Sequence, residues 1–130
     1  MQVDVVTLFP EWFEWFQGQR HVGNAVARGS ELRFLNPREH TPLSGGQVDD
    51  TPFGGGAGMV LRVDVMDAAL RAFYGVDPLD LRTQRRVIAL TPGGRMLDEE
   101  GHFAFYGDAA TRSLVFVFAL FRVRTFSVDT

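Results

Sequence analysis

The chain has 130 residues, enough for one domain with a single core, and its 45% hydrophobic and 22% charged content is globular rather than disordered. A net charge of −3 argues against tight, nonspecific binding of a polyanion by the whole surface, while leaving room for a local basic patch. No cysteine is present, which excludes disulfides and thiolate metal sites and makes the cytoplasm the default compartment.

The start, MQVDVVTLF, carries an acid and no basic residue, so it does not read as a signal peptide. Val3 to Leu8 is rich in β-branched residues and predicts a buried strand. Pro10 and Glu11 suit a first helical turn, and Trp12, Phe13, Trp15 and Phe16 then form an aromatic face expected to pack into the core. Asn24 to Arg28 with Gly29 behind it predicts a second short helix, and the alternation of Glu31 to Leu35 a half-buried strand. Asn36 to Gly58 is a long polar stretch dense in glycine and proline, of the kind that is usually functional or disordered. Asp64 is a candidate cap for a helix through Phe73 that ends at Gly75 and Pro78, with a polar linker over Asp77 to Arg86. Arg86 to Leu90 predicts a strand, Thr91 to Arg95 a tight turn, Asp98 to Tyr106 a helix and Leu114 to Ala119 a strand. The longest apolar run, Leu114 to Phe121, falls short of the roughly 20 residues a membrane helix needs. Strands alternating with helices give an α/β fold with a mostly parallel sheet and flanking helices.

Two glycine-rich segments stand out. In open α/β sheets ligands sit beyond the carboxyl ends of strands, and TPGGR follows the strand RVIAL directly. Such a turn could hold an adenosine or a phosphate, or simply lead from strand to helix. It is not a Walker loop, and GGGAG, with no strand before it, is not a dinucleotide fingerprint. The second segment, VDDTPFGGGAGM from Val48 to Met59, could clamp an anion or nucleic acid. Asp49 and Asp50 fit loop caps better than cation ligands. His21, His40 and His102 lack metal-ligand spacing and are expected at the surface, so no metal is expected. Arg33, Arg38, Arg62, Arg85, Arg86 and Arg95 are either solvated surface charges or a phosphate-contacting patch.

The order of these pieces carries a resemblance. VVTLFPEWF, NPREHT, VDDTPFGGGAGM and LTPGGRMLD, in that sequence, resemble bacterial tRNA (guanine-37-N1) methyltransferases over about residues 1–117. The resemblance implies a SPOUT-type, trefoil-knotted domain working as a homodimer. It implies S-adenosyl-L-methionine as methyl donor and N1 of the guanine beside the anticodon as target, hence the tRNA anticodon stem-loop as partner. Leu90, Thr91, Pro92, Gly93 and Gly94 match the family turn that lines the donor pocket. Asp50, Gly54, Gly55, Gly56, Gly58 and Met59 match its glycine-rich loop near the anticodon and the donor.

Two departures accompany it. Ser44 to Gln47 (SGGQ) stands where the family usually has basic residues, which weakens the tRNA contact expected there. After Val117 the family's Cys-Gly-Arg-Tyr-Glu-Gly pattern is replaced by FALFRVRTFSVDT. The expectation is therefore an incomplete SPOUT domain over 1–117, a divergent tail over 118–130 and no C-terminal tRNA-binding domain. The family's catalytic aspartate belongs to that missing part, so no catalytic residue is assigned. The readings left open are an enzyme, a non-catalytic tRNA-binding or dimerisation module, and a nonfunctional fragment.

Overall fold

The structure, a computed structural model, describes residues 1–90, 95–96, 113–118 and 125–128. Strand β1 (Gln2–Val6) buries Asp4, Val5 and Val6. It ends two residues before the predicted limit. Thr7 still donates its N–H to the Leu35 carbonyl at 3.0 Å, but its hydroxyl accepts the Phe9 N–H at 3.2 Å and turns the chain toward Pro10. A 3-10 turn (Pro10–Phe13) leads into α1 (Glu14–Gln17) and then α2 (Arg20–Ala27), which starts four residues earlier than predicted. Gly29, at φ 92°, lets the chain leave α2 for β2 (Glu31–Leu35).

The polar stretch that follows is built from short ordered pieces. Asn36 accepts the Arg38 N–H and caps a 3-10 turn at Pro37–His40; a second 3-10 turn covers Ser44–Gly46. Then β3 (Asp49–Asp50) and β4 (Val60–Leu61) pair antiparallel. Helix α3 (Val63–Tyr74) begins one residue before Asp64, so Asp64 is not its cap; Gly75, left-handed at φ 69°, closes it as expected. The predicted linker after it is instead α4 (Pro78–Gln84). Asp77 accepts the Leu79 N–H and Pro78 takes the first helical position, a helix start rather than a helix end.

The remaining strands are β5 (Arg86–Leu90), β6 (Arg95–Met96), β7 (Ser113–Phe118) and β8 (Thr125–Val128). The main sheet runs β2-β1-β7-β5-β8-β6. Its first four strands are parallel; β8 pairs antiparallel with β5 and β6. The mostly parallel α/β sheet is thus observed. The predicted helix over Asp98 to Tyr106 lies outside the described residues.

Helix α3 covers one face of the sheet, and the Pro10–Phe13 turn reaches the other. Val6, Leu35 and Ala69 form a core under α3, with Met66, Leu70, Phe73, Tyr74 and Val87 packed around it. Side chains alternate along β2, so Phe34 points to the opposite face, where Phe13 meets it at 5.4 Å between ring centres. Phe13 is the one member of the aromatic quartet that turns to the sheet in this way. Trp12, Trp15 and Phe16 are exposed, contrary to the expected core packing. The segment opens as a 3-10 turn, whose residues rotate about 120° apart, so the single face assumed for an α-helix does not form. No described helix is long and apolar enough to cross a membrane.

Candidate functional site

The registers Val6–Leu35, Val6–Val117 and Leu90–Phe118 align the carboxyl ends of β2, β1, β7 and β5 at one end of the sheet. Leu8, just beyond β1, packs with Val48 and Val65, and Phe9 and Leu61 join this cluster. Val48 and Leu61 are the roots of the β3–β4 hairpin. The glycine-rich loop is therefore the tip of a hairpin anchored beside the carboxyl end of β1. Leu90, the last residue of β5, lies two strand spacings away, about 10 Å. The fold thus brings the hairpin root and the end of β5 to the same end of the sheet. Thr91, Pro92, Gly93 and Gly94 lie outside the described residues.

The hairpin needs its glycines for backbone reasons. Gly54, Gly55, Gly56 and Gly58 have φ of 86°, 80°, 120° and 101°. A Cβ at any of them would meet no atom within 4 Å, so crowding within the chain is not the cause. The tip stands free in solvent, with Phe53 fully exposed and Met59 half exposed. Its backbone can approach a ligand without side-chain obstruction.

Asp50 closes the hairpin's root. Its Oδ1 accepts the Thr51 N–H at 2.8 Å and its Oδ2 accepts from Arg62 at 3.3 Å. Arg62 also grips Asp64 with two bonds, 3.0 and 2.7 Å. The hydrogen bond to Asp64 raises the Arg62 pKa and lowers that of Asp64, so both stay charged near neutrality. Asp50 and Asp49 do not join a third acid or histidine: among the described residues no cluster could hold a metal ion. His21 is exposed, His40 half-buried, and His102 outside the described residues.

Four of the six arginines, Arg33, Arg38, Arg62 and Arg85, are bonded within the chain. Arg62 is paired as above. Arg38 donates to the Gly46 carbonyl at 3.0 Å and lies 5.5 Å from the Phe9 ring centre. Arg33 and Arg85 converge on Asp4, a fully buried carboxylate on β1 that sequence reasoning did not single out. Arg33 binds it with two bonds of 2.7 and 2.8 Å, Tyr74 donates at 2.7 Å and Arg85 at 3.2 Å. Arg85 also donates to Gln2 at 2.7 Å. The signal was an acid inside the β-branched run VDVV, where a buried carboxylate demands partners. This network ties the start of β1 to the carboxyl end of α3 and the start of β5, away from the hairpin.

A family profile for "tRNA (Guanine-1)-methyltransferase TrmD" matches residues 1–122. The chain belongs to that family. Among curated relatives, a tRNA (guanine-N(1)-)-methyltransferase of Stenotrophomonas maltophilia strain K279a is 41% identical over 100 residues, 76% of this chain and 38% of the relative. The enzyme of that name from Synechococcus elongatus is 38% identical over 112 residues, 85% of this chain and 43% of the relative. The one from Sorangium cellulosum is 51% identical over 73 residues, 55% of this chain and 28% of the relative. The chain thus spans about two fifths or less of the length of these relatives.

Proposed function

We propose that these residues form the donor- and substrate-facing part of a tRNA methyltransferase that moves a methyl group from S-adenosyl-L-methionine to N1 of guanine 37, beside the anticodon. The observation that carries this reading is the placement of the glycine hairpin and the end of β5 at one end of a parallel sheet, in a chain of this family. Leu90 and the following Thr91 to Gly94 would line the donor. Asp50, Gly54, Gly55, Gly56, Gly58 and Met59 would lie between donor and anticodon loop. The proposal includes a knotted SPOUT-type domain, a homodimer and a cytoplasmic setting, where tRNA and donor meet.

The transfer forms an N1–CH3 bond and breaks an S–CH3 bond, leaving S-adenosylhomocysteine. N1 loses its proton to a base, and charge building on O6 needs a hydrogen-bond donor or cation. Asp50 is held by Thr51 and Arg62 at the hairpin root, which suits it to shaping the loop. The base is assigned to no described residue.

Incubation of the chain with methyl-labelled donor and tRNA carrying guanine or adenine at position 37 tests the reading. Label on guanine 37 alone supports it; label elsewhere on the RNA contradicts it. Binding of donor and tRNA without transfer favours the second reading, a non-catalytic binding module. The partial span of the relatives makes that outcome specific to these residues.

A further inference from the structure

We propose that Trp12 is a stacking platform for an unpaired base of the RNA substrate, standing beside the glycine hairpin. The inference rests on the tRNA reading above and adds a contact residue to it. Phe9 and Trp12 stack nearly parallel, with ring centres 4.4 Å apart and planes 12° from each other. The Arg38 guanidinium lies 5.5 Å from the Phe9 ring centre. Phe9 covers one side of the indole, yet Trp12 remains 61% exposed. A large aromatic side chain held in a fixed plane and left open to water forgoes its own burial, and a planar ligand would restore it.

The position and the charges select the ligand. Phe9 sits on the Leu8, Val48 and Val65 cluster together with Leu61, so the stack and the hairpin share one anchor at the carboxyl end of β1. Arg33, Arg38, Arg62 and Arg85 are bonded within the chain, and the net charge is −3. Glu11 and Glu14, both exposed, flank Trp12 in sequence and repel a phosphate. They do not oppose the neutral face of a base. Stacking on an aromatic ring holds any base without a surrounding cationic groove, and single-stranded loops offer bases for it.

The test uses the Trp15→Phe chain, in which Trp12 is the only tryptophan. Its fluorescence is followed during titration with anticodon stem-loop RNA and with a fully paired RNA of the same length. Anisotropy of dye-labelled RNA measures binding independently, and light scattering gives the mass. The expected result is quenching by the stem-loop but not by the duplex. Trp12→Ala should weaken stem-loop binding about tenfold, with Trp12→Phe retaining most of it. Stem-loop binding with unchanged fluorescence and full affinity in Trp12→Ala overturns the inference while the tRNA reading stands. Equal quenching by the duplex also overturns it. A lower mass for Trp12→Ala without RNA makes this face a subunit contact and overturns it as well. No RNA binding by the parent chain overturns both readings.

Discussion

Arg33 holds Asp4 in a two-pronged grip, Nε to Oδ1 at 2.7 Å and Nη2 to Oδ2 at 2.8 Å, and the carboxylate it holds is fully buried. Tyr74 and Arg85 complete the set, so three residues distant in sequence close on one side chain. The partners are on β2, at the end of α3 and at the entry to β5. Asp4 therefore acts as a joint between the first strand and the elements that return to the sheet much later.

Removing that joint strands two partly buried cations and a phenol. Asp4→Ala is expected to lower unfolding free energy by about 3 kcal/mol, the lower end for a broken buried pair, because Arg33 is partly open to water. A urea melt of Asp4→Ala against the parent measures it. A change in midpoint below the range of ordinary surface substitutions contradicts the joint.

Tyr74 links the same network to pH. Burial, and then its hydrogen bond to Asp4, push its phenol well above the ordinary value of 10.0. The folded state thus keeps a proton that the unfolded chain gives up first. Its stabilising contribution is complete below pH 10 and falls as the pH rises beyond it toward the folded value. Melts between pH 8 and about 11 should show a decline that is shallower in Tyr74→Phe. Identical slopes for the two proteins count against the linkage.

The glycine hairpin separates conformation from stability. Gly56, at φ 120°, has open space around it, so Gly56→Ala strains the backbone without a clash. The cost is about 1 kcal/mol at an exposed tip, too little to unfold the sheet. Donor or tRNA binding should nonetheless weaken, because the loop loses the path that exposes its backbone. Unchanged binding constants in Gly56→Ala remove the hairpin from the proposed site.

Arg62 ties the hairpin's root to the start of α3, through Asp50 and Asp64 and through its own N–H to the Val48 carbonyl at 2.8 Å. Arg62→Ala keeps the backbone bond and removes both ion pairs. Amide exchange at Asp50, Val60 and Leu61 should quicken, while exchange in β1 stays as it was. Added salt should reproduce part of the effect in the parent chain, since these pairs are exposed. Equal exchange in both proteins shows that the backbone ladder alone holds the hairpin.

Much of the sheet was legible because β-branched runs such as VDVV and RVIAL state their burial in local pattern. Gly75 likewise announced a helix end through its backbone freedom. Asp77–Pro78 was harder, because a proline that closes one helix and one that opens the next look alike until the cap hydrogen bond is seen. The aromatic quartet misled for a similar reason: its face depends on whether the turn at Pro10 is 3-10 or α. In the candidate site, the glycines of VDDTPFGGGAGM pointed to a loop suited to clamping an anion or nucleic acid, and its four glycines adopt positive φ. The hairpin pairing of Asp49–Asp50 with Val60–Leu61 was not legible, since two-residue strands leave no periodicity. The Asp4 network depends on contacts up to 81 residues apart, which no local pattern encodes.

A site for the methyl donor on this chain is detected by calorimetric titration with S-adenosylhomocysteine, with the mass followed by light scattering. Saturable binding by a dimer is expected, weakened in Gly56→Ala and preserved in Trp15→Phe. A folded chain that releases no binding heat at any accessible ligand concentration would contradict it.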